Sequence, residues 1–381
     1  MATRCSSFEL QATCGSARAG TLRLPHGDVP TPAFMPVGTR GTVRGIGPAD
    51  LRSAGARLVL SNTYHLWVRP GPDLVARRGG LHRFMAWDGP ILTDSGGYQV
   101  FSLREHAKVT EAGVRFRSPE DGLYRELTPE VAVAVQETLG VDIAMAFDEC
   151  LEWPATRERA AASTARTTRW LLRCLAARQR PDQTALFGIV QGGTYADLRA
   201  DHADRLADLD LDGYAIGGLS VGEDRGALLE MTAVAASRLP SDRARYLMGV
   251  GHPQDIVDAV LTGVDLFDCV LPTRAGRHGH AYTSVGRRNL KNARYAEDDG
   301  PLDPDCACPT CTTYSLAYLR HLTRCDEMLG KSALTIHNLW YYQRLVARLR
   351  SAVIAQNADA LRALREEAAR ATALVTTDVA R

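Results

Sequence analysis

No stretch of the 381 residues approaches the roughly 20 consecutive apolar residues of a membrane-spanning helix. The opening MATRCSSFELQATCGSARAG also lacks an apolar run like the core of a secretory signal. Both absences lead to the expectation of a cytoplasmic protein. Net charge is almost missing: 45 Lys and Arg stand against 44 Asp and Glu, leaving +1. No global field draws polyanions, so any nucleic-acid site must be a local patch. There is no internal repeat and no low-complexity tract. No glycine-rich nucleotide fingerprint follows the first apolar run, which counts against a dinucleotide-binding fold. The nine cysteines are odd in number and six are scattered singly. That pattern suits buried thiols, metal ligands or catalytic groups in a reducing compartment better than disulfides.

What is present is an ordinary globular composition, 45% hydrophobic and 23% charged. The length suits one large or two ordinary domains and can bury a core without disulfides. Eight short apolar runs lead into Gly, Asp, Asn or Gln at or near their ends: 33–38, 57–62, 91–97, 142–149, 185–193, 213–218, 245–251 and 264–269. Their Ile, Val, Leu and Phe content fits parallel strands buried on both faces. Amphipathic stretches at 129–140, 155–179 and 253–263 lie between them, the last with Pro near its start and Gly at its end. Strands alternating with helices predict a (β/α)8 TIM-type barrel, with an open doubly wound sheet as the rival. VRFRSPEDGLYREL, in the long gap between 97 and 142, reads as an inserted β-hairpin. After residue 290 the pattern changes to a Cys-rich loop and two helices, roughly 312–329 and 333–368. The expected division is a barrel over 8–290 and a zinc-binding subdomain with C-terminal helices over 291–381, within one continuous domain.

Barrel chemistry sits where strands end and loops begin. The candidates there are Asp94, Ser95, Asp148, Gln191, Gly217, Gly218 and Asp268. A single Asp at a strand end is ordinarily a helix cap or turn former. Three Asp and a Gln from different strands around one mouth form a site, provided the barrel is real. Cys306, Cys308 and Cys311 make a C-x-C-x2-C cluster that, with one imidazole, suits a closed tetrahedral zinc site. Spacing leaves His337, His321 and Cys325 competing as the fourth ligand. From Cys269 to Ala296 there is no Asp or Glu, while Arg274, Arg277, Arg287, Arg288, Lys291 and Arg294 are all present. A charge run is usually a solvated face, but this one directly follows the last predicted strand, a common phosphate site in barrels.

TDSGGYQVFS (93–102), AMAFDEC (144–150), GIVQGG (188–193), AIGGLSVGE (215–223), RYLMGVG (245–251), DLFDCVLPTRAGRHG (265–279) and CACPTC (306–311) with His337 together resemble tRNA-guanine transglycosylases of the bacterial type. The likeness extends from about residue 8 to 370. It implies exchange of guanine at the wobble position of tRNAs with GUN anticodons for 7-aminomethyl-7-deazaguanine, a step of queuosine biosynthesis. It implies Asp268 as the nucleophile and Asp94 as the general acid/base, following the two-carboxylate logic of retaining glycosidases. Asp148 would take the N–H edge of the base, with Gln191 and the backbone at Gly218 and Leu219 on the carbonyl side. Tyr98 and Met248 would sandwich the ring, and Ser95 and Tyr246 would line the same pocket. Eukaryotic relatives, which take the bulkier queuine, tend to carry smaller residues at the positions of Cys150 and Val221. Glu223 would meet the aminomethyl group through the neighbouring backbone.

The resemblance also selects His337 as the fourth ligand of one structural Zn2+. Arg274 and Arg277 would read nucleotides beside the target, and Arg287, Arg288 and Lys291 would hold phosphates. A homodimer is implied, with Tyr314, Tyr318 and His321 on one helical face near the interface and Phe84 opposite. Two other readings remain in view. A zinc-dependent barrel hydrolase would need an open metal site at the barrel mouth. A catalytically silent RNA-binding subunit would lack Asp94 or Asp268.

Overall fold

A computed structural model describes residues 4–101 and 107–373. Ser102, which ends the 93–102 motif, and residues 374–381 of the C-terminal segment lie outside the described residues. All eight apolar runs become strands of one parallel sheet. In chain order they are Ala33–Pro36, Val59–Ser61, Ile91–Thr93, Ile143–Met145, Ala185–Val190, Gly213–Ile216, Arg245–Leu247 and Leu266–Cys269. Neighbours in sequence pair in parallel from the second to the eighth, and the eighth pairs with the first. A parallel bridge from Val37 to Leu60 joins the first strand to the second and completes the barrel. The open-sheet rival is thereby set aside.

Alternation along each strand sorts the side chains into two cores. Met35, Leu60, Leu92, Ile143, Met145, Phe187, Ile189, Ala215, Tyr246 and Leu266 fill the barrel interior. Phe34, Val59, Ile91, Ala144, Leu186, Tyr214, Leu247 and Phe267 point outward to the helical layer. Both faces are therefore apolar, which is why the runs read as continuous hydrophobic segments.

The surrounding helices begin and end where local chemistry dictates. Pro129–Leu139 is capped by the Thr128 hydroxyl, which accepts from Val131 N, and stops at Gly140 in the left-handed region. Arg157–Ala177 has Thr156 as its cap. Pro253–Leu261 opens on Pro and is followed by Gly263 at φ +97°.

An antiparallel sheet of Ser7–Cys14, Ala17–Leu24 and Gly27–Thr31, unforeseen from the sequence, closes the end of the barrel where strands begin. Its Phe8, Leu22, Leu24 and Val29 enter the interior core. Buried Arg18 lies 3.3 Å from Asp265, just ahead of the last strand. The inserted hairpin pairs Val114–Arg117 with Tyr124–Leu127, and Ala107–Val109 adds a third strand. Its buried Phe116 packs 5.6 Å, ring to ring, from Tyr64.

The C-terminal helices differ from expectation. Instead of two, there are four α-helices among the described residues: Pro309–Thr313, Leu316–Arg324, Met328–Ile354 and Ala358–Thr372. Ser315 caps the second by accepting from Tyr318 N. Gln356 at φ +50° and the Asn357 cap break the expected 333–368 helix in two. Met328–Ile354 packs against helix Leu271–Arg277 and the first barrel strand, where Gln343 Nε2 donates to Phe34 O at 2.9 Å.

Candidate active site

The period of two that fills the barrel also aims its mouth. Asp94 lies two residues beyond inward Leu92, Gln191 two beyond Ile189, Gly217 two beyond Ala215, Met248 two beyond Tyr246, and Asp268 two beyond Leu266. Each therefore continues the interior face past the C-terminal end of its strand, where barrels carry their sites. Asp148 is three beyond inward Met145 and departs from this phase. It is held instead by Ser95 Oγ at 3.1 Å and Gln191 Nε2 at 2.7 Å. The three Asp expected from sequence thus come together with Ser95, Gln191 and Tyr246.

Their environments differ. Asp268 Oδ1 accepts from Tyr246 Oη at 2.6 Å and Gly249 N at 2.7 Å. Among the described residues its Oδ2 has no hydrogen-bond partner, so one oxygen is anchored and the other is available. Burial raises its pKa against these two donors. Both oxygens of Asp94 are engaged, Oδ1 by Thr63 N at 2.9 Å and Gly96 N at 3.3 Å, Oδ2 by Gln99 Nε2 at 2.7 Å and by Asn62. Burial nonetheless pushes its pKa upward. Asp148 is pushed up to about 6, chiefly by burial, with the Asp94 charge adding to it. Burial and the Asp268 charge raise the pKa of the Tyr246 hydroxyl that donates to Asp268, and the Asp94 charge adds to this.

Two glycines shape the pocket between the fifth and sixth strands. A Cβ on Gly218, at φ +63°, would collide with Gln191 Oε1. One on Gly217 would come 2.6 Å from Ile189 Cγ2. Backbone alone fits beside the Gln191 amide. Leu219 follows, buried, while Val221 is half-buried. The Glu223 carboxylate turns back to accept from Ser220 N and, at 3.0 Å, Val221 N. A cavity of about 160 Å3 beside Asp148 is lined by Gly97, Cys150 and Trp170 among others. Tyr98 is 58% exposed at the rim and Met248 is half-buried on the inner core.

Sequence reading missed the supports. Asn62 and Thr63 hold Asp94, and Asn62 ends the second apolar run, so the strand-end rule that selected Asp94 could have found it. Arg159 and Arg166 (2.6 Å for the latter) clamp buried Glu149 next to Asp148. Arg199 and His202 sit beneath Gln191. Nothing in a single helix pattern marks them, because a buried Arg and a solvated one look alike in sequence.

The basic residues separate into two groups. Arg277 and Lys291 line a common groove of about 480 Å3 with His278, Arg324 and Lys331, and exposed Arg274 lies one turn ahead of Arg277. Arg287 and Arg288 stand on the hairpin His280–Thr283/Gly286–Asn289, half-buried, and the Arg288 guanidinium lies 5.6 Å from the Tyr295 ring centre. They are not among the groove residues. Tyr314, Tyr318 and His321 form one ring row, with centroids 5.6 Å and 6.4 Å apart, although Tyr314 precedes the helix rather than belonging to it. Phe84 is 44% exposed in a surface recess with Arg77, Arg78 and Arg83.

Cys306, Cys308, Cys311 and His337 converge, their ligand atoms all within 4.8 Å of one another. His337 Nδ1 lies 3.5 Å from Cys308 Sγ and 3.3 Å from Cys311 Sγ. Its Nε2 is 2.8 Å from Tyr282 O, which fixes that nitrogen as the donor and turns the Nδ1 lone pair to the sulfurs. This donor set suits a tetrahedral metal ion. His321 and Cys325 are exposed and 3.9 Å apart, away from the cluster. Among the described residues no helix is long and apolar enough to cross a membrane.

Comparison with known proteins identifies the family. The family model for queuine tRNA-ribosyltransferase matches residues 13–372. A queuine tRNA-ribosyltransferase of Pelotomaculum thermopropionicum is 55% identical over 88% of this chain and 91% of its own length. Those of Geobacillus kaustophilus and Azoarcus sp. are 51% and 52% identical, covering 94% and 95% of this chain and 94% and 98% of theirs. A match across nearly the whole chain places the protein in the queuine tRNA-ribosyltransferase family.

Proposed function

We propose that the protein is a tRNA-guanine transglycosylase that replaces guanine at the wobble position of GUN-anticodon tRNAs with 7-aminomethyl-7-deazaguanine. The observation that carries this is the meeting of Asp94, Asp148 and Asp268 at the barrel mouth in a chain of this family. Base exchange needs a group that holds the ribose while one base leaves and another enters. Asp268 is built for it: Tyr246 and Gly249 fix Oδ1, and Oδ2 attacks C1′ of the ribose. The C1′–O bond forms as the C1′–N9 bond to guanine breaks, and Asp94 delivers a proton to the leaving purine. The incoming base then loses its proton to Asp94, its N9 attacks C1′, and Asp268 leaves. Two displacements retain configuration at C1′.

Asp148, ionised, accepts from the N–H edge of the base, while Gln191 and the backbone of Gly218 and Leu219 meet its carbonyl. Ser95 keeps Asp148 in place. Tyr98 and Met248 stack on the two faces. Cys150 and Val221 limit the pocket, and Glu223 orients the backbone that meets the aminomethyl group. Arg274 and Arg277 read the flanking nucleotides, with Lys291, Arg287 and Arg288 on phosphates. The Cys3His cluster holds one Zn2+, which braces the C-terminal subdomain and takes no part in the exchange. Two copies assemble through the Tyr314, Tyr318 and His321 row and Phe84.

Incubating the protein with a tRNA bearing G at the wobble position and radiolabelled guanine tests the reading. Label enters the RNA at that position if it is right. RNA that stays unlabelled under conditions where the protein is folded contradicts it.

A further inference from the structure

Arg199, in helix Ala196–Ala207, is completely buried, and its hydrogen-bond partners are two backbone carbonyls rather than a carboxylate. Burying a charge is costly unless its donors are well used. Here Nε and Nη2 both donate to Gly193 O, at 3.2 Å and 2.7 Å, and Nη1 donates to Gly217 O at 3.0 Å. Gly193 follows Gln191 on the loop after the fifth strand. Gly217 precedes Gly218 on the loop after the sixth. One guanidinium thus ties together the two loops that carry the carbonyl side of the base pocket. Its nearest carboxylate influence is Glu223, itself occupied by the backbone of the sixth loop.

The helix makes a second, parallel contact. His202, one turn on, accepts from Gln191 N through Nδ1 at 2.8 Å and meets Thr168 Oγ1 at 3.1 Å through Nε2. Space leaves little alternative: a Cβ on Gly192 would lie 2.7 Å from Arg199 N.

We propose that Arg199 is a positioning residue for base recognition, clamping the Gln191–Gly193 and Gly217–Leu219 loops at the separation a purine edge requires. This rests on the exchange reading above. The fork geometry matters, since a planar guanidinium spans two carbonyls that an ammonium reaches one at a time. Arg199 touches neither base nor ribose, so it acts through the loops alone.

The test is steady-state exchange of labelled guanine into tRNA by wild type, Arg199→Lys and Arg199→Met, with melting temperatures measured alongside. The expected result is a guanine KM raised at least ~10-fold in both variants, as for a pocket displaced by a fraction of an ångström. The tRNA KM stays within about twofold of wild type, since the clamp faces the base and not the RNA. If Arg199→Met does not fold, Arg199→Lys, which keeps the charge and loses the fork, carries the comparison. A guanine KM unchanged while the melting temperature falls overturns the positioning role alone. So do equal rises in both KM values. A wild type that incorporates no label overturns the exchange reading and this role with it.

Discussion

At the scale of single residues, one fold gives three carboxylates three different characters. Asp268 has an anchored oxygen and an available one, Asp94 has both oxygens hydrogen-bonded, and Asp148 is poised to titrate. The last has a measurable consequence. Its folded pKa of about 6 lies above the ordinary carboxylate value, so the acid form persists to higher pH than usual. In the proposed reaction the ionised form is the one that accepts from the base. Therefore kcat/KM for guanine should fall as pH drops through about 6, by roughly tenfold per unit well below it. Asp148→Asn should remove that limb along with most base affinity, and a profile flat from pH 7 to 5 would contradict the assignment. The same raised pKa means the fold itself gains stability, not loses it, from this group as pH falls through that window. Most of these residues were legible because they are polar groups at the ends of apolar runs. Arg199 and His202 were not, because a helix of mixed polarity does not announce which polar residue turns inward.

At the scale of elements, continuous apolarity revealed the strands. The eight runs were readable since parallel strands bury both faces and stay apolar throughout. The N-terminal sheet escaped notice for other reasons: Ser7–Cys14 is largely exposed and polar, and Ala17–Leu24, though buried, mixes Arg18, Thr21 and Arg23 with small residues. Helix breaks at Ser315 and Gln356 were missed because capping chemistry, not hydrophobic periodicity, sets them. Spacing alone could not choose the histidine of the metal cluster, since His321 is closer in sequence than His337 and yet lies apart; the resemblance chose His337, and the fold brings it to the three cysteines. Elemental analysis should find one zinc per chain. Cys308→Ala should lower metal content and melting temperature together, since structural zinc contributes on the order of 10 kcal/mol to its site. Chelated protein that keeps its full melting temperature and activity would refute a structural metal.

At the scale of the whole molecule, the +1 net charge conceals a groove where Arg277, Lys291, Arg324 and Lys331 outnumber Asp326 and Glu327. Counterion release along such a groove would make tRNA binding salt-dependent despite the neutral total. Exposed Tyr318 and His321, in a ring row with half-buried Tyr314, and exposed Phe84 are the surface the proposed second copy would meet. Native mass spectrometry at micromolar concentration should give twice the chain mass, and Tyr318→Ala with His321→Ala should shift it toward monomer while lowering tRNA exchange. A wild-type monomer with full activity at nanomolar concentration would count against assembly as a functional requirement.

The central claim, that Asp268 carries the ribose between two bases, is tested most directly by trapping. Denaturing the wild-type protein during turnover should leave tRNA covalently joined to the peptide containing Asp268. Asp268→Asn should form no such adduct and should exchange guanine at least ~10³-fold more slowly while remaining folded. An adduct that maps to Asp94, or undiminished exchange by Asp268→Asn, would contradict the account.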